Sequence, residues 1–163
     1  MESLQTLWEA NRRYVSEHPS FPDSSVPSLG VVLVTCMDVR IDPLALFGLH
    51  LGEVHVIRNA GARVTDDVIR SLVISQQALA TDTVILISHT DCGVLGLQPE
   101  DLCSTAVGSL PPLDFRPMND LETALREDLG RLRETPWIPD SVRLIGAVYD
   151  VRTGLVRVVE PNG

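Results

Sequence analysis

The 163-residue chain is predicted to be an α/β protein: a small, mainly parallel β-sheet flanked by helices on both faces, with a leading N-terminal helix and a C-terminal hairpin strand. Two observations predict this. The apolar runs VVLVT (31–35) and TVILI (83–87) are continuous rather than alternating, as strands buried on both faces must be. Segments of helical period separate strand-like runs, and the order strand, helix, strand, helix, strand is that of a sheet covered by its own crossovers.

The elements follow in order. Residues 3–17 carry Leu4, Leu7, Trp8, Tyr14 and Val15 on one helical face, interrupted at Asn11, and a helix so placed needs a partner surface. HPSFPDSSVPS breaks it with prolines and serines. The first buried strand is 31–35. DPLALFGLHLG is a short helix or turn punctuated by Gly48 and Gly52, and VHVIRNAG (54–61) is a second strand running into a polar turn. TDDVIRSLVISQQALA places Val68, Ile69, Leu72, Val73 and Leu79 on one face, with acids in the first turn where the helix dipole favours them. TVILISHTDCG (83–93) is the third strand. No element is assigned from Val94 to Pro117. Leu121, Leu125, Leu129 and Leu132 then recur at helical spacing behind an Asn119 cap, with Glu122 three residues on. VRLIGAVYD and LVRVVE, joined by VRTG, form a strand and its hairpin return.

Composition narrows the function. Apolar residues make up 44% and charged residues 21%, enough for one domain, 1–163, to build a core without disulfides. A net charge of −9 with scattered arginines argues against nucleic acid and anionic membrane as partners. The N-terminus has an acid at position 2 and no continuous apolar core, and no later window reaches transmembrane length, so the cytoplasm is the expected compartment. Three cysteines, Cys36, Cys92 and Cys103, cannot all pair, and there they read as thiols, ligands or core residues.

Three strands end in polar clusters, CMDVR, RNAG and SHTDCG, and in an open α/β sheet binding groups gather beyond the C-terminal strand ends. Cys36, His89 and Cys92 would supply two thiolates and an imidazole, a zinc set with a fourth position open. Each also has an ordinary reading: a cysteine ending an apolar strand is commonly a small buried hydrophobe, and His89 a satisfied histidine. Their joint placement is what points to metal. Cys103 lacks that context and reads as a core or helix residue. Asp38 stands either as a fourth ligand or paired with the Arg40 fork, and an ordinary loop salt bridge fits the spacing equally. Asp42 and Pro43 read as turn and helix-start residues. Asp91 orients a loop or pairs with an arginine, and Arg58, Asn59 and Gly61 line the same cleft.

CMDVR, VIRNAG, TDDVIRSL and HTDCG, in this order and these surroundings, together resemble a β-class carbonic anhydrase of the short bacterial kind, across roughly residues 3–160. The resemblance implies zinc, one ion per subunit, on Cys36, His89 and Cys92, and an aspartate–arginine dyad at Asp38 and Arg40. It implies reversible hydration of carbon dioxide to bicarbonate and a proton. It also implies a homodimer or dimer of dimers whose N-terminal helix packs on the partner subunit. In that family the aspartate either holds the arginine or binds zinc. Some members favour the second state through bicarbonate in a pocket built on a tryptophan whose position is Leu33 here, so the tryptophan-dependent pocket is not expected. The turn after Asn59 reads Ala60, Gly61, Ala62, a mild departure from the family's AG or GG.

Zinc lowers the pKa of bound water toward neutrality, and two thiolates donate more charge than histidines, so activity is expected to rise from neutral to alkaline pH. Val64, Val68, Leu72 and Val94 are candidates for a dry substrate pocket. His50 and His55 are available as proton shuttles, and neither is assigned. The alternatives are a relative acting on another small heterocumulene such as carbon disulfide, and a structural or sensing zinc protein on the same fold. A disulfide exchanger is weakened by the absence of CxxC.

Overall fold

The computed structural model describes residues 2–18, 20–101 and 114–159, so Cys103 lies outside the described residues. Among the described residues there are three α-helices, α1 (Glu2–Glu17), α2 (Asp66–Leu79) and α3 (Leu121–Arg133), and five strands, β1 (Val31–Cys36), β2 (Val54–Asn59), β3 (Thr83–His89), β4 (Arg143–Tyr149) and β5 (Val156–Val159). The strands form one sheet in the order β2-β1-β3-β4-β5. The first four are parallel, and β5 returns antiparallel on β4. The expected mainly parallel α/β sheet is therefore what the chain forms.

Alternation along the strands sorts the core into two faces. Val32, Val34, Val84, Leu86 and Val148 pack with Val68 and Leu72 of α2 and with Leu125, Leu129 and Leu132 of α3. Leu33, Ile87 and Ala147 form a second cluster on the other face, against Leu49, Tyr149 and Val156. Leu49 follows a 3₁₀ turn at Ala45–Phe47 in the β1–β2 connection. Asp42 nucleates that connection, its Oδ1 accepting from the backbone N–H groups of Leu44 and Ala45 at 3.2 Å each.

Among the boundaries that differ from the sequence reading are those of β2, β3 and α3. β2 stops at Asn59 and β3 at His89, because Gly61 (φ +78°) and Asp91 (φ +52°) take left-handed backbone that no strand continues through. The α3 cap is Asp120, not Asn119: its Oδ1 accepts from Thr123 N–H at 2.8 Å, leaving Glu122 in the first turn. α2 has Asp66 and Asp67 in its first turn, as expected, and Thr65 Oγ1 caps it by accepting from Val68 N–H.

The order β2-β1-β3 means that the chain leaves β1 to one side and later returns to its other side. The crevice between the C-terminal ends of β1 and β3 is the topological switch point, where such sheets bind ligands.

Candidate metal centre at the strand ends

Cys36 is the last residue of β1 and His89 the last of β3, one on each side of the switch point, and Cys92 lies on the turn that leaves β3. All three are buried, and their ligand atoms lie within 4.8 Å of one another. The two sulfurs are 4.0 Å apart. Two sulfurs about 2.3 Å from one tetrahedral ion stand roughly 3.8 Å apart, so the spacing suits a single zinc. Among the described residues this is the group whose side chains could hold a metal ion.

His89 supplies the sharpest test of fit. Its Nδ1–H donates to the carbonyl of Thr90 at 2.9 Å, which fixes the tautomer and leaves Nε2 as a bare lone pair. That Nε2 is buried without a hydrogen-bond partner. A buried acceptor with nothing to accept is costly in an apolar surround, and a cation held between it and the sulfurs would satisfy it.

The thiols are prepared in the same sense. The Cys92 thiol beside it, together with the adjacent His89 ring and the backbone near Asp38 and Gly61, pulls the Cys36 thiol well below its usual range against the effect of burial. The hydrogen bond with Cys36 and burial push Cys92 the other way, since a second anion beside the first is disfavoured. A second thiolate beside the first is therefore disfavoured in the protein alone, and a divalent cation would offset that repulsion. Burial opposes protonation of His89, but the Cys36 sulfur outweighs it and the pKa is raised.

The surrounding residues hold this geometry. Gly61 N–H donates to Cys36 Sγ at 3.3 Å. A Cβ at Gly61 would come within 2.8 Å of Val94 Cγ2, so the amide reaches the sulfur only because the residue is glycine. Arg58 donates from Nε to the Cys36 carbonyl at 3.0 Å and from Nη2 to the Asp38 carbonyl at 2.8 Å, fixing the backbone of the first motif. Asn59 ties the following turn through both ends of its amide, to Arg63 N–H at 3.0 Å and Arg63 O at 2.7 Å.

Asp38 and Arg40 form a fork at the rim. Arg40 Nε meets Asp38 Oδ1 at 2.9 Å and Nη2 meets Oδ2 at 2.8 Å, while Arg40 N–H also donates to Oδ1. The guanidinium holds the Asp38 carboxyl far below the ordinary carboxylate range. Oδ2 sits 3.9 Å from His89 Nε2, so the carboxylate overlooks the site while remaining with Arg40.

Of the candidate pocket residues, Val94 lines a cavity of about 290 Å³ beside the ligand turns, with Met37, Ala60, Leu97 and Phe115. Val64, Val68 and Leu72 do not line it: they are packed in the core against the sheet. His55 is held through both ring nitrogens, by Ser75 Oγ at 2.7 Å and the Ser25 carbonyl at 2.9 Å. His50 is exposed. Asp91 pairs with an arginine, as expected: Arg152.

Sequence reasoning missed a buried ion cluster behind the turn. Arg63, 3% exposed, places Nε 2.7 Å from Asp128 Oδ2, and Arg116 Nη2 meets Asp128 Oδ1 at the same distance. The cluster fastens the Gly61 turn to α3. Its members are far apart in sequence, and no local spacing announces them.

The model of the carbonic anhydrase family matches residues 31–106, which include every residue of this centre. Beta-carbonic anhydrase 1 of Mycobacterium tuberculosis is 41% identical over 138 residues, covering 83% of this chain and 85% of its own. A carbon disulfide hydrolase of an Acidianus species is 32% identical, covering 80% of this chain and 76% of its own. The crystal structure of carbonic anhydrase from Streptococcus mutans superposes with a TM-score of 0.92 at 41% identity, over 98% of this chain and 99% of that one. A relative this similar over most of both chains, on the same fold, makes this chain a member of the β-carbonic anhydrase family and an enzyme of that class.

Proposed function

We propose that the chain, a single zinc domain, interconverts carbon dioxide with bicarbonate and a proton, using one zinc per subunit held by Cys36, His89 and Cys92. The observation that carries the reading is the buried, unpartnered Nε2 of His89 beside two cysteine sulfurs, with an arginine-fixed carboxylate at the rim. Zinc supplies the Lewis acidity that makes water a nucleophile near neutral pH. The chain supplies orientation. Thr90 keeps the His89 lone pair on Nε2, and the Gly61 amide stabilises charge on Cys36.

Asp38 and Arg40 are the catalytic dyad. Arg40 keeps the carboxylate ionised and in one plane. Asp38 Oδ2 accepts a hydrogen bond from the attacking water and so directs its remaining lone pair at the substrate carbon. Carbon dioxide carries no charge to grip, and a mainly apolar cavity walled by Met37, Ala60, Val94, Leu97 and Phe115, with Arg63, Gln98 and Arg116 as its polar members, offers it an approach. His55 spends both nitrogens on structure, so the released proton is assigned to solvent or buffer.

The working unit is a homodimer or dimer of dimers. Leu4, Leu7, Trp8 and Val15 of α1 remain more than half exposed in the single chain, the surface a partner subunit would cover. Two free thiols in the centre suit a reducing compartment such as the cytoplasm. Among the described residues, no helix is long and apolar enough to cross a membrane.

The likeness to a carbon disulfide hydrolase supports a second reading, in which the same centre attacks carbon disulfide. Metal analysis followed by initial rates with both substrates decides. Zinc near one equivalent with carbon dioxide turnover is the expected result. Turnover of carbon disulfide alone would transfer the assignment to the second reading, and zinc without either activity would leave a structural or sensing protein.

A further inference from the structure

The turn between the second and third ligands is gripped from outside by the β4–β5 hairpin. Thr90 N–H donates to the carbonyl of Tyr149, the last residue of β4, at 2.9 Å. Val151 N–H donates to Thr90 Oγ1 at 3.1 Å. Arg152 places Nε 3.0 Å and Nη2 2.9 Å from Asp91 Oδ2. The hairpin is itself tied: Asp150 Oδ1 accepts from the N–H groups of Arg152 at 2.8 Å and Thr153 at 3.1 Å.

Asp91 is the pivot. Its left-handed backbone (φ +52°) sets where its carbonyl points. That carbonyl accepts from Arg40 Nη2 at 2.9 Å, from the same nitrogen that holds Asp38 Oδ2. A line of polar contacts therefore runs from exposed Arg152 through Asp91 and Arg40 to the carboxylate at the rim.

Asp38 has two places to go. At 3.9 Å from His89 Nε2, its Oδ2 is near enough to become a fourth metal ligand by a small rotation. It stays away while both oxygens are engaged by Arg40. Anything that fixes Arg40 favours that arrangement.

We propose that Arg152, acting through Asp91, is a positioning residue that keeps Arg40 on Asp38 and so holds the fourth coordination position open. The inference rests on the reading of Cys36, His89 and Cys92 as the metal centre. Exposed ion pairs are weak, so the effect is graded rather than all-or-none.

Cobalt(II) in place of zinc gives a visible thiolate–metal absorption that reports an added anion at the open position. The titrant is thiocyanate, on the cobalt-loaded wild type, Arg152→Ala, Arg152→Lys, Asp38→Asn and the Arg152→Ala/Asp38→Asn double variant. Arg152→Ala is expected to weaken thiocyanate binding about threefold to fivefold, the scale of one exposed ion pair. Arg152→Lys recovers part of the loss. In the Asp38→Asn background Arg152→Ala has no effect, because the competing ligand is gone. Wild-type affinity in Arg152→Ala, or an equal loss in both backgrounds, overturns the proposal. So does a wild-type spectrum indifferent to thiocyanate, which would mean that Asp38 already occupies the position. Failure of the wild type to bind cobalt overturns the metal-centre reading, and this proposal with it.

Discussion

At the residue scale, Asp38 and Gly61 separate chemistry from architecture. Asp38 touches none of the ligand atoms closely, so Asp38→Asn should retain zinc while carbon dioxide hydration falls roughly tenfold to a hundredfold, the usual cost of losing a partner just outside a metal's ligands. Metal analysis and stopped-flow rates on one preparation check both halves. Gly61→Ala acts the other way, through the fold. Its positive φ and the 2.8 Å approach to Val94 should cost about 1–3 kcal/mol, read as a lowered Tm by calorimetry. The clustering of Cys36, His89 and Cys92 was legible because each closes an apolar strand or follows one, an expensive place for polar groups with no task. The Thr90 carbonyl on His89 and the Gly61 amide on Cys36 were not, because backbone partners leave no mark in residue identity.

At the scale of elements, the parallel strands were legible from their unbroken apolar runs, and α2 from its period and the acids in its first turn. The ends of β2 and β3 were overrun, because residue type alone does not reveal left-handed backbone at Asp91. The α3 cap slipped by one position because Asn119 and Asp120 are both competent caps, and geometry chose the second. α3 also carries a pH-sensitive tie to the hairpin. Glu122 in its first turn pairs with Arg157 of β5 and with Arg126, and these guanidiniums, Arg157 foremost, hold its carboxyl below the ordinary value. A depressed folded pKa gives stability that is complete above the unfolded carboxylate pKa and is lost as pH falls through the folded one. Thermal melts across the acid range should therefore show a shallower decline for Glu122→Gln than for wild type. Equal slopes would remove Glu122 from that role.

At the scale of the whole molecule, Cys36 and Cys92 belong to the main buried cluster, most of which is apolar packing away from the centre. The packing of α2 and α3 on the sheet is continuous and apolar. Stripping zinc with a chelator should abolish hydration while far-UV circular dichroism stays unchanged, unlike small zinc-folded domains that unfold without metal. The exposed face of α1 belongs to this scale too. Trp8→Asp should shift sedimentation toward the monomer if a second subunit covers that face, and an unchanged distribution would place the contact elsewhere. The β4–β5 contacts to the ligand turn bring together residues some sixty positions apart, a relation visible only in the folded chain. The most direct test of the central claim is stopped-flow carbon dioxide hydration by zinc-loaded and zinc-stripped protein, from about pH 6.5 to about pH 9, spanning the near-neutral pKa that zinc confers on water. A zinc-dependent rate that rises with pH is the predicted result. A rate no greater than the uncatalysed control at every pH would contradict it.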